Sequence, residues 1–159
     1  MTLLESLSEI VCAGSVARVG LGSSSAQIRE ALGAELLADR DRKALRLDYG
    51  MLEFNLYSDR CETISVQLHR LAGDPGIGAT GVLPIGQRAE ADTVALDDLQ
   101  AALIRRCSLN LAEGDNRAGY RCYRVVGRHV MIYVVSGGDI GDDSPGIGDI
   151  WSINIVGAG

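Results

Sequence analysis

Lysine is nearly missing from this 159-residue chain: Lys43 is the only one, and every other basic side chain but the two histidines is arginine. With abundant Ala, Gly, Leu and Val, this coding bias points to a high-GC genome, such as an actinobacterial one. Positive charge is also short overall. Fifteen Lys and Arg face 21 Asp and Glu, a formal net charge of −6. Such a balance lacks the basic face that phosphates need, which excludes nucleic acid as a general partner. A basic protein partner fits the charge better. No apolar run approaches the ~20 residues that span a bilayer, so no membrane is expected as a partner. The N-terminal "MTLLESLSEIVCAG" has no Lys or Arg before its apolar stretch, and Glu5 and Glu9 interrupt it. It does not read as an export signal, and a cytoplasmic location is the expectation.

Catalytic signatures are missing as well. There is no G-x-S-x-G, no H-E-x-x-H and no Cys/His motif spacing. His69 and His129 are the two histidines; both read as structural residues on strands. "GLGSSS" lacks the G-K-[ST] ending of a phosphate loop. "GIGATG" (76–81) fits G-x-G-x-x-G by letters, but "VLPIG" follows it, not a helix. Cys12, Cys61, Cys107 and Cys122 show no C-x-x-C spacing and read as free, mostly buried thiols. No catalytic residue, cofactor or metal ligand is assigned, and a non-enzyme is expected.

Hydrophobic residues make up 47% and charged ones 23%, a globular balance for one domain or two small intertwined ones. Thr2 to Cys12 reads as a helix, with Leu3, Leu4, Leu7, Ile10 and Val11 on one stripe and Thr2 and Glu5 at capping-box spacing. Val16 to Leu21 reads as a short extended segment. A second helix follows Ser24, whose partner Gln27 completes another capping box. Ile28, Ala31 and Leu32 form its expected buried face, and Gly33 its stop. Ala44 to Tyr49, Leu52 to Tyr57 and a strand around Ile64, Val66 and Leu68 alternate apolar and polar, as an antiparallel meander should. After the Gly/Pro-rich "AGDPGIGATGVLPIG" the order repeats. Leu96, Leu99, Ala102 and Leu103 line a helix, with Asp97 and Gln100 at cap spacing. Strands over Tyr120 to Val126, His129 to Val135 and Ile150 to Val156 follow it.

"QIREAL" and "DLQAAL" match at an offset of 71, the hairpins at 77, and "ETISVQL" with "DIWSINI" at 87. The expected fold is therefore α+β, two similar helix-plus-meander halves with the helices on one sheet face. The halves are 1–71 and 93–159, joined by a connector over 72–92.

The densest charge feature is Asp139, Asp142, Asp143 and Asp149 on a Gly-rich loop. Its spacing does not match a calcium loop and no bidentate Glu ends it, which leaves a solvated loop or an acidic contact surface. Tyr57, Tyr133 and Trp151 are candidate aromatic anchors for a partner. Arg117, Arg121, Arg124 and Arg128 read as a solvated hairpin face.

Gly22, Ser24, Gln27, Ile28 and Gly33 give the pattern G-x-[ST]-x-x-Q-[VI]-x(4)-G. It resembles the helix signature of the tandem-repeat β-lactamase inhibitor proteins and of the small outer-membrane assembly lipoproteins of similar fold. Small cytosolic proteins with the same signature also resemble immunity proteins that neutralise a toxin encoded next door. The resemblance covers this motif and the overall layout, and the five residues carry a structural role only. "DTVALDDLQAALIRR" lacks the framing glycines. The export signal and paired cysteines of the secreted inhibitors, and the lipoproteins' N-terminal cysteine, are not expected here, so β-lactamase is not the expected target. The resemblance implies a protein-binding inhibitor, an immunity protein that occludes a basic toxin such as a nuclease. The alternative is a small-molecule-binding domain or enzyme with a cleft between the halves. A structural subunit of a larger assembly is a third reading.

Overall fold

The computed structural model describes residues 2–73, 93–137 and 145–157. Helix α1 spans Leu3–Ala13. The Thr2 hydroxyl accepts the Glu5 N–H (3.2 Å) and the Glu5 carboxylate accepts the Thr2 N–H (2.7 Å), satisfying two of the donors that every helix start leaves open. Gly14 ends the helix at φ +65°. Leu7 and Val11 are fully buried on its inner stripe.

The expected extended segment is instead a small hairpin, β1 (Ser15–Val16) and β2 (Val19–Gly20). Its turn holds Ala17 and Arg18 at φ +47° and +68°. A two-residue hairpin turn needs such left-handed values, and neither residue advertises them.

Helix α2 (Ser25–Leu32) starts and stops where the glycine-framed motif places it. The Ser24 hydroxyl accepts the Gln27 N–H (3.2 Å), and Gln27 Oε1 accepts the Ser24 N–H (2.8 Å). Ile28 is fully buried, but Ala31 is exposed and Leu32 only half-buried. One buried side chain cannot hold a helix this short. The ends are pinned instead. Gly22 (φ +84°) donates its N–H to the Cys61 carbonyl (2.7 Å), and Cys61 donates back to Ser23 (2.9 Å). At the other end the Tyr49 hydroxyl donates to the Gly33 carbonyl (3.0 Å).

The fold is α+β, built on one eight-stranded antiparallel sheet. Its strands are β3 (Leu37–Asp41), β4 (Ala44–Asp48), β5 (Leu52–Tyr57), β6 (Arg60–Val66), β7 (Leu111–Glu113), β8 (Tyr120–Val125), β9 (Val130–Val135) and β10 (Ile150–Val156). The spatial order is β3-β4-β5-β6-β10-β9-β8-β7, so each half contributes four strands in mirrored order and β6 pairs with β10 at the centre. The outermost strand of each half, β3 and β7, extends the expected meanders.

Helices α3 (His69–Gly73) and α4 (Leu96–Cys107) complete the description. His69 begins α3 and does not continue the strand. His129 lies just before β9 and is exposed. Helix α4 (Leu96–Cys107) begins at Ala95, which makes no side-chain cap hydrogen bond, so the expected Asp97 cap is displaced into the first turn. The backbone on either side is tied down instead, Leu96 N–H to Gly148 O (3.1 Å) and Ile150 N–H to Val94 O (2.8 Å).

Leu45, Leu47, Phe54, Ile64, Ile132, Ile153 and Ile155 point to one sheet face. They form one continuous cluster with Leu7, Val11, Leu99 and Leu103 of α1 and α4. Packing the two helices side by side brings Cys12 to Cys107, 95 residues away, and they form a disulfide with Cα atoms 6.1 Å apart. The expectation of four free thiols is thereby corrected: only Cys61 and Cys122 are free, and both are buried. The Glu9–Arg106 ion pair (3.4 Å) spans the same helix contact.

Candidate functional site

The sheet's second face is set by strand alternation, since side chains opposite the core residues must point away from it. Register aligns Arg46, Asp48, Glu53, Asn55 and Tyr57 of the first half with Ser152, Asn154, Tyr133, Met131, Cys122 and Tyr120 of the second. The pairing of β10 with β9 shifts between Ile150 and Ser152. Such a bulge re-aims a side chain, and here the residue is Trp151.

Trp151 lies in a three-ring cluster. Its ring stacks on His69 with centroids 4.2 Å apart and planes 5° from parallel, and Tyr120 tilts against it at 5.2 Å. His69 Nδ1 lies 3.4 Å from the Trp151 carbonyl oxygen. Burial holds the His69 pKa below its ordinary 6.5, and the Trp151 carbonyl opposes the shift without cancelling it. The neutral imidazole is thus the favoured form in the stack.

Beside the rings is a charge-balanced cluster. Arg70 of α3 donates to Asp48 (3.2 Å), to the Gly50 carbonyl (2.7 Å) and to Glu53 (2.5 Å). Arg46 reaches Glu53 at 3.6 Å, and Gln67 donates to it at 3.4 Å. Glu53 is only 7% exposed, and a carboxylate that buried must be paired. Burial alone would lower the Arg70 pKa, but the hydrogen bonds and charges of Glu53 and Asp48 hold it above its ordinary value. The cluster fastens α3 to the sheet and so fixes His69 against Trp151. It carries no nucleophile with an adjacent base.

The free thiols do not supply one either. Burial pushes Cys61 up to about 11 and raises Cys122 as well, the opposite of what a reactive thiolate needs. Tyr133, beside Cys122, is also raised by burial. Among the described residues no group of three His, Cys, Asp or Glu side chains is placed to hold a metal ion.

The expected partner residues separate. Trp151 and Tyr133 come together on the second face, with Tyr120 and His69 added to them. Tyr57 shares that face and is 51% exposed, but it stands at the far end of β5, in the other half. Asp139, Asp142 and Asp143 lie outside the described residues. Asp149 is half-buried, and its carboxylate accepts the Gly146 N–H at 2.9 Å, closing its own turn. Arg121 and Arg124 alternate to opposite faces of β8. Arg121 lines a cleft of about 450 Å³ with Tyr123, Asp97, Ile147 and Asp149. That cleft lies within the second half, not between the halves.

Sequence reasoning missed His69, Arg70, Glu53 and Asp48. No sequence signal marks them: Glu53 occupies a polar position of the alternating strand β5, and its burial follows only from the contact with Arg70 of α3. Neither a protein family, a curated protein nor a solved structure matches this chain. No described helix is long and apolar enough to cross a membrane.

Proposed function

We propose that this chain is a non-enzymatic protein-binding inhibitor, of the immunity type, that neutralises a basic bacterial toxin by occluding it. One observation carries the reading. The sheet is backed by α1 and α4 on one face, while the other face presents the His69–Trp151–Tyr120 cluster with Tyr133 beside it and Tyr57 beyond. Aromatic anchors on a rigid surface are the usual energetic centre of a protein interface. The net charge of −6 would speed encounter with a basic partner. The mirrored strand order supports a tandem duplication, as the resemblance to the two-repeat inhibitors implies.

The disulfide bears on location. Such bonds persist in oxidising compartments and are rare in the cytosol. The Cys12–Cys107 pair therefore favours action outside the reducing cytoplasm over the cytoplasmic expectation. It also gives this chain paired cysteines, as the secreted inhibitors have.

The test is co-expression with the product of the adjacent reading frame, scored by survival and by co-purification. The proposal predicts rescue by the wild-type chain, and affinity about 30-fold weaker for Trp151→Ala, the loss of one hot spot. A neighbour that is harmless, or one bound equally well by Trp151→Ala, would overturn it. The small-molecule alternative has the cleft at Arg121 in its favour, whose volume suits a small ligand; ligand-induced stabilisation abolished by Arg121→Ala would support it instead.

A further inference from the structure

Strand β3 is unlike every other strand of the sheet. All five of its residues are exposed, and its outer edge carries no partner strand among the described residues. The turn joining β3 to β4 has two residues, with Asp41 opposite Ala44. The pair flanking such a turn is hydrogen-bonded, and bonded positions alternate from there. Leu37, Asp39 and Asp41 therefore bond inward to β4. Ala38 and Arg40 turn their N–H and C=O groups to the open edge. Leu36 and Leu37, 61% and 52% exposed, stand at the start of the strand. Leu37, Asp39 and Asp41 share one face.

A second copy of this chain fits the edge poorly. Antiparallel self-pairing about Asp39 sets that carboxylate against itself. Pairing about Arg40 sets Arg40 against itself and Asp39 against Asp41. Pairing about Ala38 sets Asp41 against Glu35. Like charges directly opposite are destabilising, and charge is a common guard on an exposed edge. The guard is selective, because the same carboxylates attract a strand of opposite charge.

We infer that β3 is a strand-addition site for an extended basic segment of a protein partner. Its main chain would bond to Ala38 and Arg40, with Lys or Arg opposite Asp39 and Asp41 and an apolar residue opposite Leu37. Main-chain bonds supply the affinity in this mode and alternate side chains the specificity. Asp39 and Asp41 share the sheet face of the aromatics, since Asp39 pairs with Arg46, but the site is separate from the Trp151 cluster: β3 is the sheet's outermost strand and Trp151 is on a central one.

A short peptide alternating lysine and valine is titrated into isotopically labelled protein, with a glutamate–valine peptide as control. The expected result is slowed amide exchange at Ala38 and Arg40 with the lysine peptide alone. Asp39→Lys with Asp41→Lys should weaken binding about tenfold, as two favourable cross-strand pairs become repulsive. Ala38→Pro removes one outward N–H, which an edge strand tolerates; it should abolish binding while the circular dichroism stays unchanged. Trp151→Ala should leave the peptide affinity as it was, which separates this site from the Trp151 cluster. Equal binding of both peptides, no binding of either, or protection confined to other strands would overturn the assignment.

Discussion

At the residue scale, the conformations the sequence conceals are the costly ones. Arg18 is exposed and sits at φ +68°, where an L-residue other than Gly or Asn loses roughly 1–2 kcal/mol. Arg18→Gly should therefore raise the unfolding free energy by about 1 kcal/mol, read from denaturant midpoints. The same concealment explains why the β1–β2 hairpin was not legible: Ala-Arg gives no turn signal, whereas Gly22 and Gly33 frame α2 in plain letters.

Two titrations belong at this scale. Glu35 is held at about 2 by the Arg29 guanidinium, which donates to it at 2.6 and 2.9 Å. A depressed carboxyl contributes stability above its unfolded pKa and loses it as pH falls toward the folded value. The pair is near the surface and screened, so the direct readout is nuclear magnetic resonance, where Arg29→Ala should return Glu35 toward its ordinary value. His69 is a base with a lowered pKa, so the unfolded chain binds its proton more readily. Its contribution is complete above 6.5 and lost as pH falls through the folded pKa. The chain has a single tryptophan, and Trp151 emission should titrate with a midpoint below 6.5. That titration should vanish in His69→Phe, which keeps a stacked ring. A midpoint at or above 6.5 would contradict the burial argument.

At the scale of elements, caps and periodicity were legible and exposed strands were not. Thr2 with Glu5 and Ser24 with Gln27 place their helices to the residue, because the cap is a local bond between residues three apart. Helix α4 shows the limit. Asp97 has the right spacing, yet the chain enters the helix at Ala95, tied by backbone bonds to Gly148 and Val94 that no local pattern reveals. Ser24→Ala should cost about 1 kcal/mol, and Ala95→Ser should return several tenths or more, both by thermal or denaturant unfolding. Strand β3 escaped notice because "LADRD" buries nothing; only its ladder with β4 makes it a strand. His69 follows Ser65 and Gln67 on the polar side of the alternation and so reads as strand, but β6 ends at Val66 and the chain turns into α3 at His69.

At the scale of the whole molecule, the α+β class and an antiparallel sheet backed by helices were legible from order and spacing. The contacts that join distant parts of the chain were not. Cys12 and Cys107 are 95 residues apart and His69 and Trp151 are 82 apart, and pairings at such distances follow only from the assembled sheet. The disulfide closes a long loop, and in the chain-entropy account such a bond contributes about 4.7 kcal/mol at most, less where the native geometry is strained. Cys12→Ser with Cys107→Ser should lower the unfolding free energy by up to that amount, and addition of a reductant should lower the wild-type midpoint to match. Equal stability with and without the bond would remove the argument for an oxidising compartment.

The central claim is that the sheet face opposite α1 and α4 holds a protein partner through its aromatic residues. Hydroxyl-radical footprinting of the chain, alone and mixed with the product of the adjacent reading frame, tests it most directly, because tryptophan and tyrosine oxidation reports side-chain contact. The account predicts protection of Trp151, Tyr120 and Tyr133 in the complex, with the exposed outer residues of α1 and α4 unchanged. Protection of the helices with the three aromatics still reactive, or no protection at all, would contradict it.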